Sequence, residues 1–277
     1  AGLDLDAEAL VMSVADIILP DPVVEEGDNG APLYVPESVK RAHERAQHKL
    51  DQAAVLAGRA SEQIKTLFPS WRVSYRAEAD SPAWAVIRKA DEWKPDLIVV
   101  GSHGRSALGR FVLGSVSQRV LTEALCSVRV SRGRVDEPNS PVRIVVGTDG
   151  SETAKEAVRE ATELAKALGA TVHLVSAYEP VGEGRLREER QQIPEDMQWM
   201  VNPREDVEAT LREASEVAEE LGVKSVKTHA REGDPADAIL DVAEETNADL
   251  IVVGNKGMTG ARRFLLGSVP NKVSHHA

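Results

Sequence analysis

The sequence has a single cysteine, Cys126, so no disulfide can form within the chain. It has no apolar run long enough to cross a bilayer and no basic-then-apolar stretch at its N-terminus. These absences lead to the expectation of a reducing, cytoplasmic setting with no membrane insertion. The sequence also has no Gly-x-x-x-x-Gly-Lys-Ser/Thr phosphate loop and no metal-ligand spacing, and no histidine stands near Cys126. No catalytic constellation emerges, and the expectation is a binding protein. Basic residues are outnumbered, 33 against 45 acidic, for a net charge of −12, and they are scattered. Such a field repels nucleic acid and anionic lipid. It does not exclude a small anion held at close range by backbone amides.

What is present is a repeat. Residues 97–116 read LIVVGSHGRSALGRFVLGSV, and residues 250–269 read LIVVGNKGMTGARRFLLGSV. Asp80-Ser81-Pro82-Ala83 falls on Gly233-Asp234-Pro235-Ala236, and from there to Gly101 and Gly254 the spacing is 21 residues in both copies. With 277 residues and 42% hydrophobic content, the chain can fill two cores of ordinary size. The domains are expected at residues 1–135 and 141–277.

Within the second copy, VRIVVGTDG reads as a buried strand closed by glycine. SETAKEAVREATELAKALG reads as a helix with Ser151 at its N-cap, Gly169 at its C-cap and an apolar stripe at Ala154, Ala157, Val158, Ala161, Leu164 and Ala165. A strand (TVHLVSAYEP), a helix (206–221), a half-exposed strand (SVKTHAREG), a helix opened by Pro235 and a buried strand (DLIVVG) follow. Alternation of this kind predicts a parallel sheet covered by helices on both faces. The first copy opens at the second of these strands, and the second copy has no counterpart of CSVRVS at 126–131. A sheet short of a central strand would be exposed, so a longer chain at both ends is expected.

The pattern Gly-x2-Gly-x9-Gly-Ser is met by Gly101, Gly104, Gly114 and Ser115, and again by Gly254, Gly257, Gly267 and Ser268. On these residues the chain resembles the universal stress protein family in its tandem two-domain form. The resemblance implies two flavodoxin-like or Rossmann-like α/β domains, each with a five-stranded parallel sheet of order 3-2-1-4-5. It further implies ATP binding at the glycine pattern together with Mg2+, at most slow ATP hydrolysis, an intrachain pseudo-dimer and its joining into a homodimer. A regulatory role in the stress response, through an unidentified protein partner, goes with it.

The chemistry of the pattern stands beside the resemblance. Glycines let backbone approach a phosphate, and Ser268, at a helix start, offers hydroxyl and amide to an anion. The crevice where the strand order reverses takes the ligand in such sheets. Asp149 is expected there, toward the ribose or a metal-bridged phosphate, with Val175 to Ala177 along the adenine, Gly233 leaving room for the sugar, and Val269 after Ser268. Asp80 stands where the second copy has Gly233, so the second site is expected to bind and the first to be weak or empty. Plainer readings are a turn role for the loop glycines and helix capping by Asp149. On the same footing, His103 and Lys256 read as exposed loop cations, and Trp71, Trp84 and Trp93 as packing residues. The 184–206 stretch reads as a solvated loop, with Met197, Trp199 and Met200 as an alternative partner-binding patch. A rival for the whole chain is a nucleotide-independent interaction module carrying relic glycine loops.

Overall fold

The computed structural model describes residues 6–17, 36–102, 113–132, 140–179, 203–255 and 266–277. In the second copy, β5 (Arg143–Gly147), β6 (Thr171–Tyr178), β7 (Val226–Glu232) and β8 (Leu250–Val253) form one sheet of order β7-β6-β5-β8. All of its pairings are parallel. Helices α4 (Glu152–Leu168), α5 (Pro203–Glu220), α6 (Pro235–Glu245) and α7 (Ser268–His276) connect and cover it. The α/β class and the helices on both faces follow the sequence reading. The four strands, counted within the copy, run 3-2-1-4.

Strand alternation explains the two layers of core. Ile144, Val146, Val172 and Leu174 point to the face covered by Val158, Ala161 and Ala165 of α4 and Leu211 and Ala214 of α5. Val145 and Val175 point the other way, onto Ala236, Ile239 and Val242 of α6 and Val273 of α7. A side chain of this size withdrawn from water contributes roughly 1.5–3 kcal/mol, which is why the β-branched runs of β5 and β6 mark the center of the sheet. Helix α4 is delimited as its sequence predicts. Ser151 Oγ accepts from the Ala154 amide, and Gly169 closes the helix at φ 64°.

The first copy carries β1 (Glu8–Ala15), α1 (Glu37–Leu67), β2 (Arg72–Ala79), α2 (Pro82–Trp93), β3 (Leu97–Gly101), α3 (Ser115–Glu123) and β4 (Ser127–Ser131). Among the described residues its strands form two separate pairs, β1 with β2 and β3 with β4. Leu97 and Val99 of β3 are more than half exposed, whereas their counterparts Leu250 and Val252 pack against the α4–α5 core. Contacts divide the molecule into two units, one holding β1, β2 and α1 to α3 with most of β3 and β4, the other holding β5 to β8 and α4 to α7.

Of the three tryptophans expected to pack, Trp71 stacks on Phe68 at 4.4 Å between ring centroids. Trp84 departs from the expectation. It is 47% exposed, and its ring is covered on one side by the Arg119 guanidinium, 4.3 Å from its centroid. A tryptophan on a helix flank can satisfy its apolar face with a cation instead of a core. No described helix is long and apolar enough to cross a membrane.

Candidate functional site

The chain runs from β5 outward through β6 to β7 and then returns to the opposite side of β5 at β8, so the strand order reverses between β5 and β8. A doubly wound sheet opens a crevice at the carboxyl ends of those strands. At the end of β5, the Thr148 amide donates to the Val175 carbonyl at 2.9 Å. Asp149 Oδ1 then accepts from the Ser151 amide at 3.0 Å. The plainer reading of Asp149 is therefore met in part, since it stabilizes the turn while Ser151 is the helix cap.

Gly254 follows β8 directly beside this turn. A Cβ at residue 254 would lie 2.9 Å from the backbone carbon and oxygen of Thr153, so the end of β8 and the first turn of α4 approach too closely for any other residue without displacement. Beyond the loop, the Gly267 amide donates to the Asn255 carbonyl at 2.9 Å, and Gly267 is the N-cap of α7. The first copy repeats this closure, with the Gly114 amide donating to the Ser102 carbonyl at 2.8 Å. Ser268 and Ser115 each begin a helix, are exposed, and leave the helix's positive end facing outward. Val269 is half-buried behind Ser268. Gly104, Gly257, His103, Lys256 and the Met197, Trp199 and Met200 patch lie outside the described residues.

Gly233 closes β7, donating its amide to the Tyr178 carbonyl at 2.9 Å. Its φ is +112°, and open space surrounds the position a Cβ would take. Backbone conformation thus demands glycine here, in addition to the room it leaves. Val175 is 1% exposed, its side chain locked in the α6 core, while Ala177 is half-buried nearer the strand end. Asp149, Gly254, Gly267, Ser268, Gly233 and Ala177 therefore gather on one rim, at the strand ends or the helix start beside them.

Charged residues unremarked in the sequence support that rim. Lys272, one turn into α7, reaches Asp237 at 2.6 Å and Asp234 at 3.2 Å, tying α7 to the first turn of α6. The Asp234 carboxyl is held below the ordinary carboxylate range, chiefly by the Asp237 amide and further by Lys272. The corresponding positions in the first copy are Arg119 and Trp84, which make the cation–π contact. Asp80, in the place of Gly233, is met by Arg88 at 2.6 Å and by the Ser81 amide at 2.7 Å. Arg88, first, and then the Ser81 amide hold its carboxyl low. Arg88 also binds Glu78 at 3.0 Å, so the charge expected to disfavor an anion in the first site is answered by its neighbor. Among the described residues no group of three or more metal-ligating side chains is found.

One pair, a buried histidine against a half-buried one, escaped sequence reasoning. His173 Nδ1 and His229 Nε2 lie 3.0 Å apart, joining β6 to β7. A histidine on alternate strand positions gives no signal of its partner until the register is known.

A doubly wound α/β architecture with its loops gathered at a reversal point is the class this geometry defines. The universal stress protein family model matches residues 7–132 and 142–277. The chain belongs to that family, in tandem form. It is 38% identical over 134 residues to the universal stress protein Rv1636 of Mycobacterium tuberculosis, covering 48% of this chain and 89% of the relative. A universal stress protein of Archaeoglobus fulgidus, at 20% identity, matches 98% of this chain and 95% of its own with a TM-score of 0.63. A universal stress protein solved in complex with cAMP is 34% identical over 49% of this chain and 91% of its own, with a TM-score of 0.38.

Proposed function

We propose that this tandem universal stress protein is an adenine-nucleotide-binding regulator whose principal site is the crevice between β5 and β8 of the second copy, with ATP as the ligand. The observation that carries the reading is the close approach of Gly254 to the Thr153 backbone. It brings Gly254, with which the glycine pattern begins, against the first turn of α4 just after Asp149, and the Gly267–Asn255 bond brings the start of α7 to the same strand end. The triphosphate is taken by the amides of the 254–268 loop and by Ser268, the ribose lies toward Asp149 and Gly233, and the adenine toward Ala177. Val175 contributes its position in the wall and not an exposed side chain. Gly101, Gly104, Gly114 and Ser115 form the weaker counterpart. Mg2+ would be held through the phosphates and Asp149. The two copies act as domains in a cytoplasmic protein and associate as a pseudo-dimer. Nucleotide binding orders the loops and alters the surface offered to a protein partner.

The test is mass spectrometry of small molecules released on denaturing the purified chain, followed by calorimetric titration with ATP and with cAMP, each with and without Mg2+. Gly257→Val should abolish binding and Gly104→Val should leave it. Preference for cAMP over ATP would replace the ligand. No bound nucleotide and no titration by either would leave the nucleotide-independent interaction module.

A further inference from the structure

We infer that His173 and His229 form an acid-released latch holding the edge strand β7 to β6. The two imidazoles meet at 3.0 Å, Nδ1 to Nε2, with ring centroids 5.2 Å apart and planes 19° from parallel. A hydrogen bond between two ring nitrogens requires one to carry its proton and the other to present a lone pair. Protonating both rings removes the acceptor and sets two cations against each other. His173 is 4% exposed, so water cannot replace the bond on its side, while His229 is half-buried.

The surroundings sharpen the effect. His173 lies beside Val145 on β5 and Lys227 on β7, and His229 lies opposite Val175. The charges that reach the pair are Arg143 from β5 and Lys227 and Arg231 from β7, all cationic, and Glu245 from α6, which is engaged by Arg231. Arg143 is offset by Asp249, whose carboxylate accepts from its backbone amide at 2.8 Å. Burial first, then His229 itself and after it Lys227 and Arg143, push His173 down to about 4, and burial likewise lowers His229. The pair is thus neutral and bonded at neutral pH and is opposed by its own setting once acid is added. Among the described residues β7 is an edge strand paired with β6 alone, so it is the strand of this sheet with the fewest ladder bonds to lose on opening. The inference does not rest on nucleotide binding, although loosening at Val175 would reach the same strand end.

Amide hydrogen exchange on the full chain from pH 7 to pH 5, corrected for intrinsic rates, tests the latch. With His173 free to titrate near 6.5 in the open state and near 4 in the closed one, protection across Val226–Glu232 should fall roughly twentyfold. The double variant His173→Asn with His229→Gln, which keeps amide hydrogen-bonding groups at the two nitrogen positions without titrating, should hold its protection. Wild type and variant falling together, or wild type not falling, would overturn the latch. Should the variant not fold, nitrogen-15 NMR of the wild-type imidazoles decides: both neutral through pH 5 supports the latch, and an ordinary titration near 6.5 at residue 173 refutes it.

Discussion

The two copies answer the same turn with different chemistry. In the second, Gly233 takes a positive φ and Asp234 caps α6, accepting from the amides of Ala236 and Asp237. In the first, Asp80 needs no such φ, Ser81 makes no side-chain cap, and Arg88 bridges Asp80 to Glu78. One step further on, Lys272 clasps two carboxylates where Arg119 covers an indole. A fold can thus keep its strand-to-helix spacing while exchanging what holds the joint. The exchange falls on the rim proposed above for the ligand, so divergence between the duplicated halves is concentrated where it would alter binding.

The largest test of the comparison is acid, because the histidine pair belongs to the second unit. The unfolded imidazole of residue 173 takes up a proton near 6.5 and the folded one only near 4, so between these values the unfolded chain binds more protons and stability falls as pH falls. The loss, complete below pH 4, amounts to about 3 kcal/mol. Urea unfolding followed by probes in each unit should show the second unit losing this much more than its His173→Asn, His229→Gln variant. An equal loss in the variant would assign the acid sensitivity elsewhere. Gly254→Ala comes next. Its Cβ meets backbone that cannot step aside, and it should cost about 1–3 kcal/mol together with the ligand, read from the unfolding midpoint and by calorimetry.

Much of this was legible beforehand. The β-branched runs, the Ser151 and Gly169 caps and the fixed interval between Pro235 and Gly254 gave α4, α6 and the parallel sheet, because local propensity and burial agree there. The reason Gly254 must be glycine was not legible, since it depends on Thr153 of a helix a hundred residues earlier. Val175 was read as a wall residue from its place at a strand end, but alternation turns its side chain into the α6 core. His173 with His229, and Lys272 with Asp234 and Asp237, depend on register and helix packing, which no single segment encodes.

Smaller effects sharpen the contrast at the joint itself. Gly233→Ala puts a side chain on a backbone at φ +112°, and although nothing crowds the Cβ, the conformation costs about 1–2 kcal/mol in the second unit. Asp80→Ala, at the matching position with an unstrained backbone, should shift the first unit's midpoint little, since its pair with Arg88 is solvent-exposed.

The caps give the finest comparison. Asp234→Ala removes the acceptor for two amides at the start of α6 and should cost about 1 kcal/mol, with part of the loss suppressed by salt because Lys272 also leans on that carboxylate. Ser81→Ala, one residue after Asp80 and at the same point before α2, should leave the unfolding midpoint unchanged, since its hydroxyl caps nothing. Equal losses in the two units would mean that Ser81 caps α2 in solution, and the joint would then differ between the copies at Gly233 and Asp80 and in the Lys272 and Arg119 contacts, but not in its cap. A loss confined to Asp234 would place the cap, the clasp by Lys272 and the positive φ in one unit alone, so that the second copy holds its α6 entrance rigid where the first relies on an exposed ion pair.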